Sequence, residues 1–406
     1  MKRRLLSLAI AASVLVLAGC SGGGPAASDG GGDTITLKAA SPAAGPEHFN
    51  STPLIAYLDA VKKASGGRID YEIYYGGALV PAAEIGNALG DGTVDLGMIL
   101  ASYKPDDYQV SNWLSQAAFV GHTEAPGSVL EKSAADLEWW WTNDDARKAD
   151  WTDNGIVPML PGVTPSAAYQ MLCREPVTNL AEARGRTVKT SGTAEVATAK
   201  AMGMASTSIP AAETFEALQR GVVDCVFNNP GGMAHNGFWD AAKHFTTVNL
   251  PPFITWGLFF SEATWDRLSP EDRAILWENL PAYLEKEMAN AIDIETTFYQ
   301  GAPAKGVTLH DADEGLRSAI RDQQRGVLQD LPARAPSVLT DPSAALQDYL
   351  GLHDKWNGML KTDLGIASDD SWAQWASQQN VPAVPVAEFA RKLYDEVLAS
   401  RMPERP

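Results

Sequence analysis

Cysteine and histidine are scarce here, and what they fail to form excludes most enzyme classes. Three cysteines (20, 173, 225) and six histidines (48, 122, 235, 244, 310, 353) are scattered through 406 residues. No Cys-x-x-Cys and no His-Glu-x-x-His occurs, so thiol redox and zinc-protease chemistry have no local motif. Gly-x-Ser-x-Gly is missing, and so is a Gly-rich loop ending in Lys-Ser/Thr. That removes the serine-hydrolase elbow and the P-loop. Nothing implies a cofactor or a metal, and the chain does not read as an enzyme. Basic residues are also short: 32 Lys plus Arg stand against 50 Asp plus Glu, a formal charge of −18. An acidic surface argues against nucleic acid and against flat binding to anionic lipid.

Long apolar runs are equally rare. The one at the start, in MKRRLLSLAIAASVLVLAGC, has a basic head and then about fourteen apolar residues, which fits a signal peptide (1–19) rather than a spanning helix. It closes on Leu17-Ala18-Gly19-Cys20, which resembles a bacterial lipobox, with Cys20 as the lipidated residue; a plain secretory signal is the alternative. SGGGPAASDGGGD comes next, so residues 20–33 read as a flexible tether. A globular body on a leash at the outer face of a membrane is expected, touching the membrane only through the lipid. In an oxidising compartment Cys173 and Cys225 can pair, or remain two buried thiols; sequence alone leaves both open.

Within that body one phrase is written twice. PAAEIGNALGDGTVD (81–95) and PAAETFEALQRGVVD (210–224) match at nine of fifteen positions. Each reads as a helix that stops and becomes a strand. Glu84 and Glu213 lie at the helix start, where a carboxylate meets the positive end of the dipole. Gly92 and Gly221 sit where the C-terminus needs a left-handed residue. TVDLGMIL and VVDCVF then read as short buried strands. Two such units imply two α/β lobes of similar build. Elsewhere strands and helices alternate, as expected for mostly parallel sheets flanked by helices. Ser269 and Pro270 open a long helical region that Pro281 should kink. HDADE (310–314) reads as a helix cap rather than a ligand set, and Trp139-Trp140-Trp141 as packing rather than a binding platform.

An ordered series of segments then carries a resemblance. It runs ITLKAA, SGGRIDYEIYYGGAL, GDGTVDLG, REPVTNLAEARGRTVKTSG, ETFEALQRGVVDCVFNNP and WDRLSPEDRAIL. Over roughly residues 34–335 the chain resembles the solute-binding component of TRAP (tripartite ATP-independent periplasmic) transporters. The resemblance implies a two-lobed periplasmic-binding-protein-like fold, crossing strands, a long connecting helix across both lobes and a ligand in the cleft. It also implies capture of a small organic acid and delivery to small and large membrane subunits. The expected organisation is lobe I from 34–166 plus 254–292 and lobe II from 167–253 plus 293–335. A helical extension (336–406) would brace a lobe or contact a partner, bracing being preferred.

The family's ligand-gripping Arg falls on Lys189, within Gly185-Arg186-Thr187-Val188-Lys189-Thr190, while Arg186 has the wrong parity for that spot. Lys is a point charge and lacks the planar two-pronged bond of Arg. A second basic position in the family corresponds to Tyr169, with Arg174 five residues on. Asn228 matches the family's ligand-bonding Asn, and Cys225 and Phe227 replace its usual Gly and Glu. Tyr103 is expected to face the cleft, and Trp256 lies on the strand that crosses back. These replacements favour a ligand with at most one carboxylate and an apolar or aromatic part. The binding component of an ABC transporter, or a ligand-sensing lipoprotein for a neutral solute, are the alternatives.

Overall fold

A computed structural model describes residues 34–121, 125–163, 167–190, 192–209, 211–251, 256–366 and 370–403. The signal peptide, the tether and Cys20 lie outside the described residues. Two mixed sheets organise the body. The first contains β1 (Ile35–Ser41), β2 (Ile69–Tyr75), β3 (Leu96–Leu100), β4 (Ile156–Pro161) and β10 (Trp256–Ser261). The second contains β5 (Tyr169–Cys173), β6 (Thr187–Thr190), β7 (Ala205–Ser208), β8 (Cys225–Asn228), β9 (His244–Leu250) and β11 (Thr308–Asp311). Their strand orders are β2-β1-β3-β10-β4 in one lobe and β11-β9-β5-β8-β6-β7 in the other.

The repeated phrase is the same joint in each lobe. Ala88 and Leu89, like Ala217 and Leu218, are buried, and Gly92 and Gly221 adopt φ of 76° and 71°. The Val-Asp that ends each copy then clasps a neighbouring strand. Asp95 donates its backbone N–H to the Lys38 carbonyl at 2.9 Å, and its carboxylate accepts the Lys38 N–H at 2.9 Å. Asp224 does the same to Thr187, at 2.8 and 2.9 Å. One carboxylate thus satisfies a strand-end N–H that the ladder leaves over. Arg186 reaches Asp224 as well, at 3.8 Å, which draws it away from the ligand end of β6.

Parallel pairing prevails, as expected, with one strand reversed in each sheet. β10 runs antiparallel to β3 and β4, and β5 runs antiparallel to β8 and β9. The cause is the crossing topology. The chain leaves the first lobe after β4, returns after β9, and brings each crossing strand into its sheet against the prevailing direction. Val163, past β4, donates to the carbonyl of Trp256 at 3.0 Å, so the two crossing segments run side by side.

Antiparallel pairing also decides the cysteines. Cys173 on β5 faces Cys225 on β8, their Cα atoms 4.1 Å apart, and they form a disulfide. This is the spacing of directly opposed residues that exchange no ladder hydrogen bonds.

The long helical region divides in two. Ser269 caps the helix Pro270–Glu278 by accepting the Asp272 N–H, as the sequence suggests. Pro281 does more than kink a helix. It stands in the first turn of a new one, Leu280–Gly301, where its missing N–H costs nothing. This connecting helix is tied to both lobes. Asn290 donates to the Phe49 carbonyl (2.9 Å) and Thr52 Oγ1 (2.7 Å) in the first. Glu295 accepts from Asn229 Nδ2 (3.0 Å) and the Gly231 N–H (3.3 Å) in the second.

The C-terminal segment braces the molecule. The helix Pro342–Thr362 packs on Gly127–Thr142, where Tyr349 donates to Asp136 (2.8 Å) and Trp356 Nε1 to Glu138 (2.7 Å). All three residues of the tryptophan run are buried, and Trp139 donates to the Ala345 carbonyl at 2.9 Å. The helix Val386–Leu393 lies against the connecting helix. Asp313, from the HDADE motif, caps the helix Glu314–Asp330.

Candidate functional site

The changes of sheet mark where a cleft is expected: β4 ends at Pro161 and β5 starts at Tyr169, and β9 ends at Leu250 and β10 starts at Trp256. In the first sheet Trp256 pairs with Leu100, and the turn Ala101–Tyr103 comes immediately after. In the second, Tyr169 pairs with Leu250 and Gln170 with Asn228, while Lys189 stands opposite Val226, two positions before Asn228. Strand ends at a point where the chain changes lobes are where ligands are expected in such folds.

Four of the expected residues lie on the strands and turn that end there. Tyr103, 54% exposed, projects from the first lobe. Tyr169 is buried, and burial first, then the nearby Glu195, Glu295 and Tyr103, raises its phenol above the ordinary range. Lys189 is buried, which pulls its ammonium below the usual lysine value, while the charge of Glu195 works the other way. Asn228 is half-buried, and its Oδ1 accepts the Asn229 N–H at 2.8 Å, so its carbonyl oxygen closes a turn.

Others stand elsewhere. Phe227 is fully buried in the second lobe's core with Tyr169, Met171 and Val248, and packs rather than presents a face. Trp256 is buried too, its Nε1 donating to Tyr283 Oη at 3.1 Å, under the crossing rather than over a ligand. Arg174 does not join the group. It lies past the opposite end of β5, exposed, with its guanidinium against Gly221. Five residues of strand put it roughly 16 Å from Tyr169.

Sequence patterns did not reveal Glu195, Gln170 and two carboxyls of the connecting helix. Glu195 is buried in the first turn of Thr193–Ala201, directly after β6. A first-turn acid reads as dipole chemistry, so only its burial beside Lys189 marks it. Gln170 is buried and accepts the Val248 (2.7 Å) and Asn249 (3.0 Å) N–H groups, holding a bulge between β5 and β9. Burial pushes Glu295 up to about 7 and Glu287 up to about 8. Among the described residues neither carboxyl oxygen of Glu287 has a hydrogen-bond partner. Its helical spacing from Tyr283 places it one turn along the face that meets Trp256.

Solved solute-binding proteins share this two-lobed build. A marine metagenome TRAP solute-binding protein specific for pyroglutamate superposes with a TM-score of 0.61 at 20% identity, covering 78% of this chain and 99% of that one. A second marine metagenome TRAP protein, specific for aromatic acid ligands and holding metahydroxyphenylacetate, gives 0.65 at 19% identity, covering 80% and 99%. The outer membrane transporter protein TsaT of Comamonas testosteroni is 21% identical over 296 residues, 72% of this chain and 84% of that one. The chain belongs to the bacterial extracellular solute-binding proteins, family 7, whose family model matches residues 43–334. The family is one of TRAP-type solute-binding transport proteins, not of enzymes. No helix among the described residues is long and apolar enough to cross a membrane.

Proposed function

We propose that this chain is the extracytoplasmic solute-binding lipoprotein of a TRAP transporter, anchored through Cys20. It captures a small organic acid between its lobes and hands it to the small and large membrane subunits. The ligand is a monocarboxylate with an apolar or aromatic part. Lys189 meets the carboxylate, Asn228 offers its amide N–H, and Tyr169 and Tyr103 supply aromatic surface from either side. Lobe I comprises 34–166 plus 254–292 and lobe II 167–253 plus 293–335, and closure is a hinge motion at the crossings.

One observation carries this reading: Lys189 is a buried cation on β6, paired with Val226 on the strand that leads to Asn228. A buried ammonium is costly unless anions meet it. The other buried cations among the described residues serve elsewhere. Lys132 donates to the Ala118 carbonyl and Arg273 to the Leu268 carbonyl. The ligands of the two TRAP relatives described above are single-carboxylate acids, in keeping with one cation here. The test is calorimetric titration of parent and Lys189→Ala with aromatic and cyclic monocarboxylates. A charge-assisted hydrogen bond is worth roughly 1.5–3 kcal/mol, so Lys189→Ala is expected to weaken binding by about 10- to 100-fold. Equal affinity in both proteins removes Lys189 from the site.

A further inference from the structure

Where the second sheet meets the connecting helix and the C-terminal extension lies a cavity of about 480 Å³. β9 and β11 line it with Phe245, Thr247 and Asp311, the connecting helix with Tyr299, and the helix Trp372–Ala376 with Trp372. Lys189, Asn228, Tyr169 and Tyr103 are not among its lining residues, so it is separate from the expected cleft. The family model ends at residue 334, so the wall carrying Trp372 comes from chain beyond the matched family span.

Part of the polar lining is already bonded. Gln170 donates to Asn249 Oδ1 at 2.8 Å, Ser371 and Gln374 form a reciprocal helix cap, and Gln378 donates to Asp370 at 2.8 Å. Other groups stand open. Among the described residues, the hydroxyls of Thr247 and Tyr299 and the carboxylate of Asp311 make no hydrogen bond, and the buried Nε1–H of Trp372 has no acceptor. The open set is one carboxylate that only accepts, one indole that only donates, and two hydroxyls that do both.

That set discriminates among ligand classes. No Lys or Arg stands among the described lining residues. His310, also on the wall, is held below the ordinary histidine value by burial first and then by His244, so it is neutral at pH 7. An anionic solute would therefore meet Asp311 with no cation to offset it. An ammonium suits Asp311 but can only donate, which leaves the Trp372 N–H unanswered. Hydroxyl groups on a solute donate to Asp311 and accept from Trp372, while its C–H face packs against Phe245 and Tyr299. A cavity of this volume, with aromatic walls and a few placed polar groups, is the usual form of a small-molecule site.

We propose that this cavity is a second ligand site, taking a neutral polyhydroxylated solute of monosaccharide size. It goes beyond the interlobe reading and does not depend on it.

Calorimetric titration of the full chain with glucose, galactose, mannose, ribose and myo-inositol tests it, with choline as the cationic control. At least one of the polyols is expected to bind. Asp311→Ala should weaken that binding about ten-fold or more, and Tyr299→Phe, which removes only a hydroxyl, by a smaller factor. Lys189→Ala should leave it unchanged. Asp311 is exposed at the end of β11, so its replacement leaves the core packing intact. No heat from any of the polyols overturns the inference and leaves the organic-acid reading standing. Polyol binding that survives Asp311→Ala but is lost in Lys189→Ala puts the solute in the cleft and overturns it too. Choline bound in place of the polyols, and lost in Asp311→Ala, overturns the ligand class.

Discussion

At the scale of single residues, the aspartate that closes each repeated phrase explains why the phrase is repeated. Asp95 and Asp224 each return a hydrogen bond to the strand that already receives their own N–H. Asp224→Ala leaves the Thr187 N–H without that partner and is expected to cost roughly 1–3 kcal/mol. Asp224→Asn keeps an acceptor and should cost clearly less; urea unfolding measures both, and equal losses would disprove the clasp. The sequence displayed the aspartates and the left-handed glycines because both act locally. It did not display Glu195, because a first-turn acid reads as dipole chemistry and only its burial in the fold sets it apart. Arg174 misled for a related reason: a strand of five residues separates it from Tyr169, and distance along a strand is distance in space.

Among elements, legibility tracks the range of the interaction. Ser269 and Asp313 cap helices through contacts three residues away, and both could be read from the sequence. The reversed strands could not, because β5 and β10 take their partners from far along the chain. The cysteines stood open for the same reason until the register of β5 against β8 set them face to face. The bond closes a 52-residue separation in the second lobe. By chain entropy such a loop is worth about 4 kcal/mol, with strain lowering the figure. Replacing both cysteines with alanine, or adding a reductant, is expected to lower the midpoint of thermal unfolding while a ligand still binds at saturating concentration and 25 °C. An unchanged midpoint would show that the bond adds nothing to stability.

Over the whole molecule, the connecting helix couples the lobes and sets the response to pH. Burial raises Glu287 to about 8 and Glu295 to about 7. Asp150, buried against Ser111 and Val110, rises to about 6 despite the hydrogen bonds it accepts. All three folded values lie above the unfolded ones, so the folded chain keeps protons that the unfolded chain has released. Their contribution is complete below about pH 4 and is lost as pH rises through 6, 7 and 8, at up to about 1.4 kcal/mol per unit for each group. Denaturant midpoints should therefore decline from pH 6 to pH 8, and Glu287→Gln should flatten the upper part of that decline. A rise over the same interval would contradict the assignment. The extension beyond residue 335 belongs to this scale too, since its helices cover the tryptophans of Gly127–Thr142 and one side of the connecting helix.

An organic acid held between the lobes at Lys189 is the central claim, and a thermal-shift screen of the full chain tests it most directly. Plain acids, sugars and polyols are compared at equal concentration. A ligand that binds only the folded chain at about 100 times its Kd adds roughly 2.7 kcal/mol, several degrees in midpoint for a chain of this size. Carboxylate-bearing solutes are predicted to raise the midpoint in the parent and to lose that effect in Lys189→Ala. A midpoint raised only by neutral sugars or polyols, equally in both proteins, would contradict the claim.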